Sequence, residues 1–257
     1  MVDLPYEQAV TKTVNFLRKA GSLLFITGAG ISAESGLPTY RGIGGLYNGN
    51  NTVDGFSIEE VLSGYMLVKK PEITWKYIAQ IEARYRTASF NQAHKIISDF
   101  EKVFNRVWVL TQNIDGFHQS AGSKNVIDIH GDMQVLICTG CGWQIRVKDY
   151  SSISIPPVCP ECGAKVRPKV VFFGEMLDED KIQVLSRELG QGFDMYFVIG
   201  TTCTFPYIQE PVALAKSSGK PVIEINPGVT SVSDLADIKF SMPASQALYS
   251  IWEQFAG

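Results

Sequence analysis

The sequence predicts an α/β protein, a parallel sheet flanked by helices with a smaller module inserted into it. Three observations carry that reading. Short apolar runs of strand length recur along the chain, each ending in glycine or polar residues and separated from the next by helix-forming stretches. The first run leads directly into a glycine turn. Two segments interrupt the alternation, and one of them holds four cysteines in two close pairs.

The strand candidates are LLFIT (23–27), VFNRVWVL (103–110), MYFVIG (195–200) and KPVIEIN (220–226). Ahead of them, Tyr6, Ala9, Val10, Thr13, Val14 and Leu17 fall at helical spacing within residues 5–20. Strand, glycine turn, then helix is how a Rossmann-like nucleotide-binding sheet begins, and ligands of such sheets lie beyond the carboxyl ends of the strands. Residues 42–92 start glycine- and asparagine-rich and continue as helices, including WKYIAQIEARY. Residues 131–168 contain the cysteines and the loop SSISIPPVCP, and fit neither helix nor core strand. Both read as insertions that together form a small domain, leaving 1–41, 93–130 and 169–257 for the sheet domain. There is no internal repeat.

Composition bounds the function. The 257 residues are 45% hydrophobic and 19% charged, enough apolar material for one large domain plus a small one. Lys and Arg total 23 against 26 Asp and Glu, a formal net charge of −3. Proteins that live on nucleic-acid phosphates carry a basic surplus, so direct nucleic-acid binding is not expected. No apolar run approaches the ~18–20 residues of a membrane span. The opening MVDLPYEQAV carries acids where a signal peptide is basic and then apolar. A cytoplasmic protein that does not enter membranes is the expectation.

Cys138-x-x-Cys141 and Cys159-x-x-Cys162 are separated by residues 142–158, with a glycine following each pair. That is the spacing of a zinc ribbon, in which two tight turns each present two sulfurs and close a tetrahedron. The competing readings are two redox dithiols or buried free thiols. Four thiolates leave zinc no open position, so the metal is expected to be structural. Cys203, just past a strand end, reads as a packing residue.

Within TGAGISAESGLPTYRG (27–42), Gly28-x-Gly30-x-x-Ala33 resembles a dinucleotide fingerprint, a weak signal when alone. Glycines there let a pyrophosphate approach the backbone at a helix N-terminus. No acidic residue ends a second strand ~20 residues later, as a dehydrogenase requires. In TQNIDGFH (111–118), Gln112, Asn113 and Asp115 gather at a strand end. One of them suffices to cap the next helix, and the other two call for a ligand. Of the three histidines, His94 and His118 lie in helical contexts, where packing is the default. His130, in VIDIHGD at another strand end, is the best general base, with a pKa naturally near working pH.

The ordered set GAGISAESGLPTYRG, TQNIDGFHQSAG, IHG, the two C-x-x-C pairs, RPKVVFFGE (167–175), IGTT (199–202) and INPGVT (225–230) resembles the sirtuins, NAD-dependent protein-lysine deacylases. The resemblance runs from about residue 23 to about residue 247. It implies a Rossmann-like domain, a small domain of zinc ribbon plus helical insertion, and a cleft between them for an acyl-lysine peptide. The implied reaction joins the acyl oxygen to the anomeric carbon of NAD, expels nicotinamide, and ends in O-acyl-ADP-ribose after a histidine activates a ribose hydroxyl.

By the same resemblance His130 is the base and Asn113 a second catalytic residue. Gly28, Ala29, Gly30, Ser32 and Ala33 belong to the phosphate-binding turn. Asn113, Ile114 and Asp115 form the nicotinamide pocket, Asp115 meeting the carboxamide and Gln112 the neighbouring ribose. Tyr40 and Arg41 sit on a loop that closes over NAD, Tyr40 standing where the family usually has Phe. Gly200, Thr201 and Thr202 line the ribose–phosphate channel. Asn226, Pro227 and Gly228 belong to the adenosine side, and Ala244 packs near adenine.

RPKVVFFGE is expected to offer an exposed edge to which an extended peptide adds. Alternation sends only one of Phe172 and Phe173 toward the acyl-lysine. Cys203-Thr204-Phe205-Pro206 departs from the family's leucine-containing stretch, its proline one position early. Ile78 and Ile81 stand where desuccinylating members carry Tyr and Arg, so an acidic acyl group would be left unpaired. Two other activities compete: ADP-ribosyl transfer to protein on the same fold, and hydride transfer by a dehydrogenase. A non-enzymatic zinc-ribbon module is a further alternative. The absence of long tails suggests a monomeric bacterial or archaeal enzyme.

Overall fold

The structure, a computed structural model of the chain, describes residues 4–39 and 52–257. In chain order its strands are β1 (Ser22–Thr27), β2 (Arg106–Thr111), β3 (Val126–Asp128), β4 (Gly131–Cys138), β5 (Gln144–Arg146), β6 (Val166–Val170), β7 (Met195–Ile199), β8 (Val222–Ile225) and β9 (Ile238–Phe240). The helices are α1 (Tyr6–Leu17), α2 (Ala29–Ser32), α3 (Ile58–Val61), α4 (Gly64–Lys69), α5 (Pro71–Tyr85), α6 (Gln92–Phe100), α7 (Phe117–Ala121), α8 (Glu179–Gln191), α9 (Pro206–Ser217) and α10 (Ala244–Ala256).

A six-stranded parallel sheet of order β3-β2-β1-β7-β8-β9 forms the larger unit. The chain winds outward from β1 in one direction, then restarts at β7 on the other side. The switch point therefore lies between β1 and β7, and the register brings Thr27 level with Thr111 and Ile199 there. Alternation along β1 divides its side chains between two cores. Leu23 and Phe25 face α1, α6 and α10, while Leu24 and Ile26 face the side covered by α8 and α9. Phe25 stacks on Phe197 of β7 with ring centroids 4.8 Å apart.

The cysteine segment does contain core strands, contrary to the sequence expectation. β5, β4 and β6 form a three-stranded antiparallel sheet. Its pattern is hard to read because the register between β4 and β6 shifts between Asp132 and Leu136, breaking the period of two. Helices α3–α5 share a core with this sheet. Trp75 is buried in it and donates from Nε1 to the Val166 carbonyl at 3.2 Å. Strand β6 runs to Val170, so the small sheet passes the residue-168 boundary. No helix among the described residues is long and apolar enough to cross a membrane.

His94 in α6 and His118 in α7 are packed residues, their rings 4.8 Å apart. His118 Nε2 pairs with Thr27 Oγ1 at 2.9 Å, and His94 Nδ1 with Asn91 Oδ1 at 2.9 Å. Burial lowers His94 to about 4 and His118 well below its ordinary value. As pH falls below about 6.5, the unfolded chain takes up protons that the folded chain refuses, and stability drops. Between about pH 7 and about pH 5, His94 alone should cost on the order of 2 kcal/mol. Urea midpoints at the two pH values measure the loss. His94→Leu should flatten the dependence, and an unchanged slope would refute the buried neutral imidazole.

Candidate functional site

Two turns at the switch point press backbone against backbone. Gly28 and Gly30 donate their amides to the Ile199 and Gly200 carbonyls at 3.1 and 2.8 Å. A Cβ on Gly30 would lie 2.6 Å from Gly200 Cα, and one on Gly200, at φ +59°, would lie 2.4 Å from Ile31 N. The glycines are thus required first by the β7 turn. Both amides of the expected phosphate-binding turn thus have carbonyl partners within the fold. Ser32 Oγ is likewise engaged, donating to Asp115 Oδ2 at 2.8 Å.

The end of β2 ties the turns together. Asn113, 6% exposed, donates from Nδ2 to the Gly28 carbonyl at 3.1 Å and to Ser32 Oγ at 3.2 Å. Gln112 donates from Nε2 to Thr201 Oγ1 at 2.6 Å, and Ile114 accepts at its carbonyl from Met133 N. Asp115 Oδ1 accepts from Phe117 N at 3.0 Å, an Asx turn just ahead of α7, whose N-cap is Gly116. Burial raises its pKa.

His130 lies beside this network. Its Nδ1 pairs with the Gln112 carbonyl at 2.8 Å, and a carbonyl only accepts, so Nδ1 carries the proton. Nε2 is then the basic nitrogen, and Tyr207 Oη lies 2.7 Å from it. Burial lowers the His130 pKa and Lys181 adds to that, against the Gln112 hydrogen bond. Lys181 is itself paired with Asp128 at 2.6 Å. The imidazole is therefore neutral near pH 7.

On the far side of the glycine contact, a cleft of about 230 Å³ is lined by Gly30, Ala33, Gly200, Pro227 and Ala244, together with Glu34, Ile225, Met242 and Pro243. Five sequence candidates meet here. Asn226 directs its amide inward instead, donating to the Thr201 carbonyl at 3.0 Å and accepting from Gly228 N at 3.0 Å. Thr202 is exposed, its Oγ1 2.9 Å from Thr204 Oγ1. Tyr40 and Arg41 lie outside the described residues.

The peptide-side edge differs from expectation. Val171 N donates to the His130 carbonyl, while the Phe173 N–H and carbonyl bond to Leu62 and Gly64. Residues 171 and 173 are therefore already paired, and the free apolar surface follows them at Met176, 91% exposed. Phe172 is buried in the small core and Phe173 only partly so.

Cys138, Cys141, Cys159 and Cys162 place their sulfurs within 4.8 Å of one another. Sγ separations of 3.5 Å (Cys138–Cys162) and 3.7 Å (Cys141–Cys159) are close to the ~3.8 Å edge of a tetrahedron with zinc–sulfur bonds of ~2.3 Å. Gly142 and Gly163, both at positive φ, turn the chain after each pair. The Gly140 and Cys141 amides point at Cys138 Sγ, at 3.2 and 3.5 Å, hydrogen bonds that favour its thiolate form. The donor set fits zinc.

The chain matches the Sir2 family over residues 28–205. It belongs to that family, the sirtuins. The NAD-dependent protein deacylase 2 of Pseudomonas aeruginosa is 47% identical over 228 residues, covering 88% of this chain and 89% of that protein. A Sir2 homologue mutant in complex with 2′-O-acetyl-ADP-ribose superposes with a TM-score of 0.85 at 33% identity, covering 95% and 96% of the two chains. A Sir2–p53 peptide–NAD+ structure gives 0.82 at 28% identity, covering 96% and 98%. Tyr207, beside His130, and Glu34, on the wall of the small cleft, are two residues that sequence reasoning missed. Tyr207 follows the departure at 203–206 but gives no local sign of facing a histidine 77 residues away.

Gly200→Ala should cost more than ~3 kcal/mol, read as a shifted denaturant midpoint, because backbone cannot retreat from the new methyl. A chain with normal stability would show that the two turns can separate. One zinc per chain should be released by a thiol-modifying reagent and counted with a chromogenic chelator. Cys159→Ser should lower Tm by about 5–10 °C.

Proposed function

We propose that this Sir2 protein removes acetyl or other apolar acyl groups from protein lysines, with release of nicotinamide and O-acyl-ADP-ribose. The observation that carries the proposal is His130: neutral, fixed in one tautomer by Gln112, its basic Nε2 at the carboxyl end of the sheet. When bound, NAD supplies the activated ribose carbon and the nicotinamide leaving group. Its adenosine half fits the small cleft, where Ile225 and Ala244 give an apolar wall and the absent Cβ atoms of Gly30 and Gly200 leave the backbone approachable.

The chain's own groups then have definite roles. His130 Nε2 takes the proton of a ribose hydroxyl, and the Gln112 carbonyl stabilises the cationic ring that results. Asn113 fixes the nicotinamide pocket by holding Gly28 and Ser32, and Asp115 and Ile114 complete it. Gly28, Ala29 and Gly30 form the phosphate-side turn, with Thr201 and Thr202 along the channel. Asn226 orders the turn under the adenosine ribose. The four thiolates, closed around zinc, hold the small domain and take no part in proton transfer. The two-domain division proposed from sequence, a monomeric state and a cytoplasmic location complete this reading.

Deacylation is preferred to ADP-ribosyl transfer because the relatives bear deacylase names and a similar structure contains acetyl-ADP-ribose. Ile78, 2% exposed, and Ile81 pack in the small core and offer no cation to an acidic acyl group.

Incubation with an acetyl-lysine peptide and NAD, followed by mass spectrometry, should yield nicotinamide, free lysine peptide and O-acetyl-ADP-ribose together. His130→Ala should reduce turnover by about 10²–10⁴-fold. NAD consumption with the acetyl group retained on the peptide would overturn the deacetylation reading. Acetyl-lysine should also be processed far faster than succinyl-lysine, and comparable rates would refute the apolar preference.

A further inference from the structure

His130 is the proposed base, yet its proton-accepting nitrogen already has a partner. Nδ1 is committed to the Gln112 carbonyl, so Nε2 offers the ring's only lone pair. Tyr207 Oη sits 2.7 Å away, and since Nε2 carries no proton, the phenol donates. Burial pushes the Tyr207 pKa up to about 12, which keeps that donor proton in place.

The local sequence explains how the phenol arrives there. Pro206 occupies the first turn of α9, where its missing N–H costs nothing and its fixed φ suits the helix. Tyr207 follows at once. Its ring stacks on Phe205, with centroids 5.4 Å apart and planes 10° from parallel. Both rings meet the imidazole nearly edge-on at 6.0 Å. The departure at residues 203–206 thus places an aromatic pair against the base.

We propose that Tyr207 is a positioning residue that caps His130 Nε2 in the free chain and is displaced when the ribose hydroxyl arrives. The phenol O–H stands in for the hydroxyl that the base will later deprotonate. It holds the imidazole neutral and in the reactive tautomer, and it excludes other donors from the lone pair until the ligand competes it away. The inference rests on the NAD-dependent reading of His130.

Among the described residues, the charged and titratable groups facing this imidazole are Lys181 of α8, Asp128 of β3 paired with it, and Tyr207 of α9. Lys181 and Asp128 remain in Tyr207→Phe, so that substitution isolates the phenol. The side-chain ¹⁵N shifts of the three histidines are to be followed by NMR against pH. Wild type and Tyr207→Phe are compared, each free and saturated with ADP-ribose, which carries the terminal ribose without nicotinamide.

In the free chains the His130 pKa should rise by about half a pH unit or more in Tyr207→Phe, because a donor to the neutral form is lost. With ADP-ribose bound the two should converge. Identical titration of the free chains would refute the cap. A difference that persists with ligand bound would make Tyr207 a permanent partner and refute the displacement. If ADP-ribose moves no His130 signal in either chain, the NAD reading fails, and the displacement with it. Should Tyr207→Phe not fold, wild type alone decides, since the Tyr207 ¹³Cζ and His130 Nε2 shifts must both change on adding ADP-ribose.

Discussion

The site depends on one contact, the backbone-to-backbone meeting of the turn after β1 with the turn after β7. Gly30 donates to the Gly200 carbonyl at 2.8 Å, and neither residue has room for a Cβ. Because Gly200 is fixed there, Thr201 can accept from Gln112, and Gln112 in turn presents its carbonyl to His130. The His130 imidazole is thus oriented through a chain of hydrogen bonds that begins at two glycines. The same contact forms one wall of the adenosine cleft, so both ends of the proposed cofactor site share a support.

A second constraint joins the two units. Gly131 follows His130 directly, at φ +95°, and a Cβ there would lie 2.0 Å from the Lys169 carbonyl. Only glycine lets the chain turn from the parallel sheet into the ribbon at this point. The His130 carbonyl then accepts from Val171 N, while Phe173 is paired to the helical insertion on its other side. The segment between His130 and Met176 is therefore anchored from both units. Arg167 holds it further, its guanidinium bidentate to Glu175 at 2.5 and 2.7 Å. The four-cysteine cluster, set where β4 ends, is thus connected to His130 through this segment.

Much of this was legible because it rests on local pattern. The strands β1, β2, β7 and β8 are compact apolar runs, and four cysteines in two pairs have few structural solutions. His130 could be singled out because a histidine before glycine at a strand end has no helical packing role. What was missed depends on contacts between distant segments. β9 spans three residues and has no readable period. The Glu34 carboxylate accepts from Ser245 N, 211 residues away, tying the glycine loop to α10. The edge expected at Val171–Phe173 looked free because its partners, His130 and Leu62–Gly64, lie on other elements. Ser32 and the pair Asn113 and Asp115 come from separate motifs, and sequence could not foresee that they hydrogen-bond one another.

That mutual bonding has an energetic side. Buried polar groups must find partners, so a site built to hold a polar ligand has to satisfy itself while the ligand is away. Asn113, Ser32 and Asp115 satisfy one another, Gln112 satisfies Thr201, and Tyr207 satisfies His130. Replacing an internal hydrogen bond with one to a ligand changes the free energy by only about 1 kcal/mol either way. The exchange therefore need not oppose binding strongly, and it spares the free chain the larger penalty of orphaned buried groups. The neutral imidazole fits the same scheme: its burial suppresses the charge while the pocket is idle, and the Gln112 carbonyl is already aligned to stabilise that charge once a proton is taken.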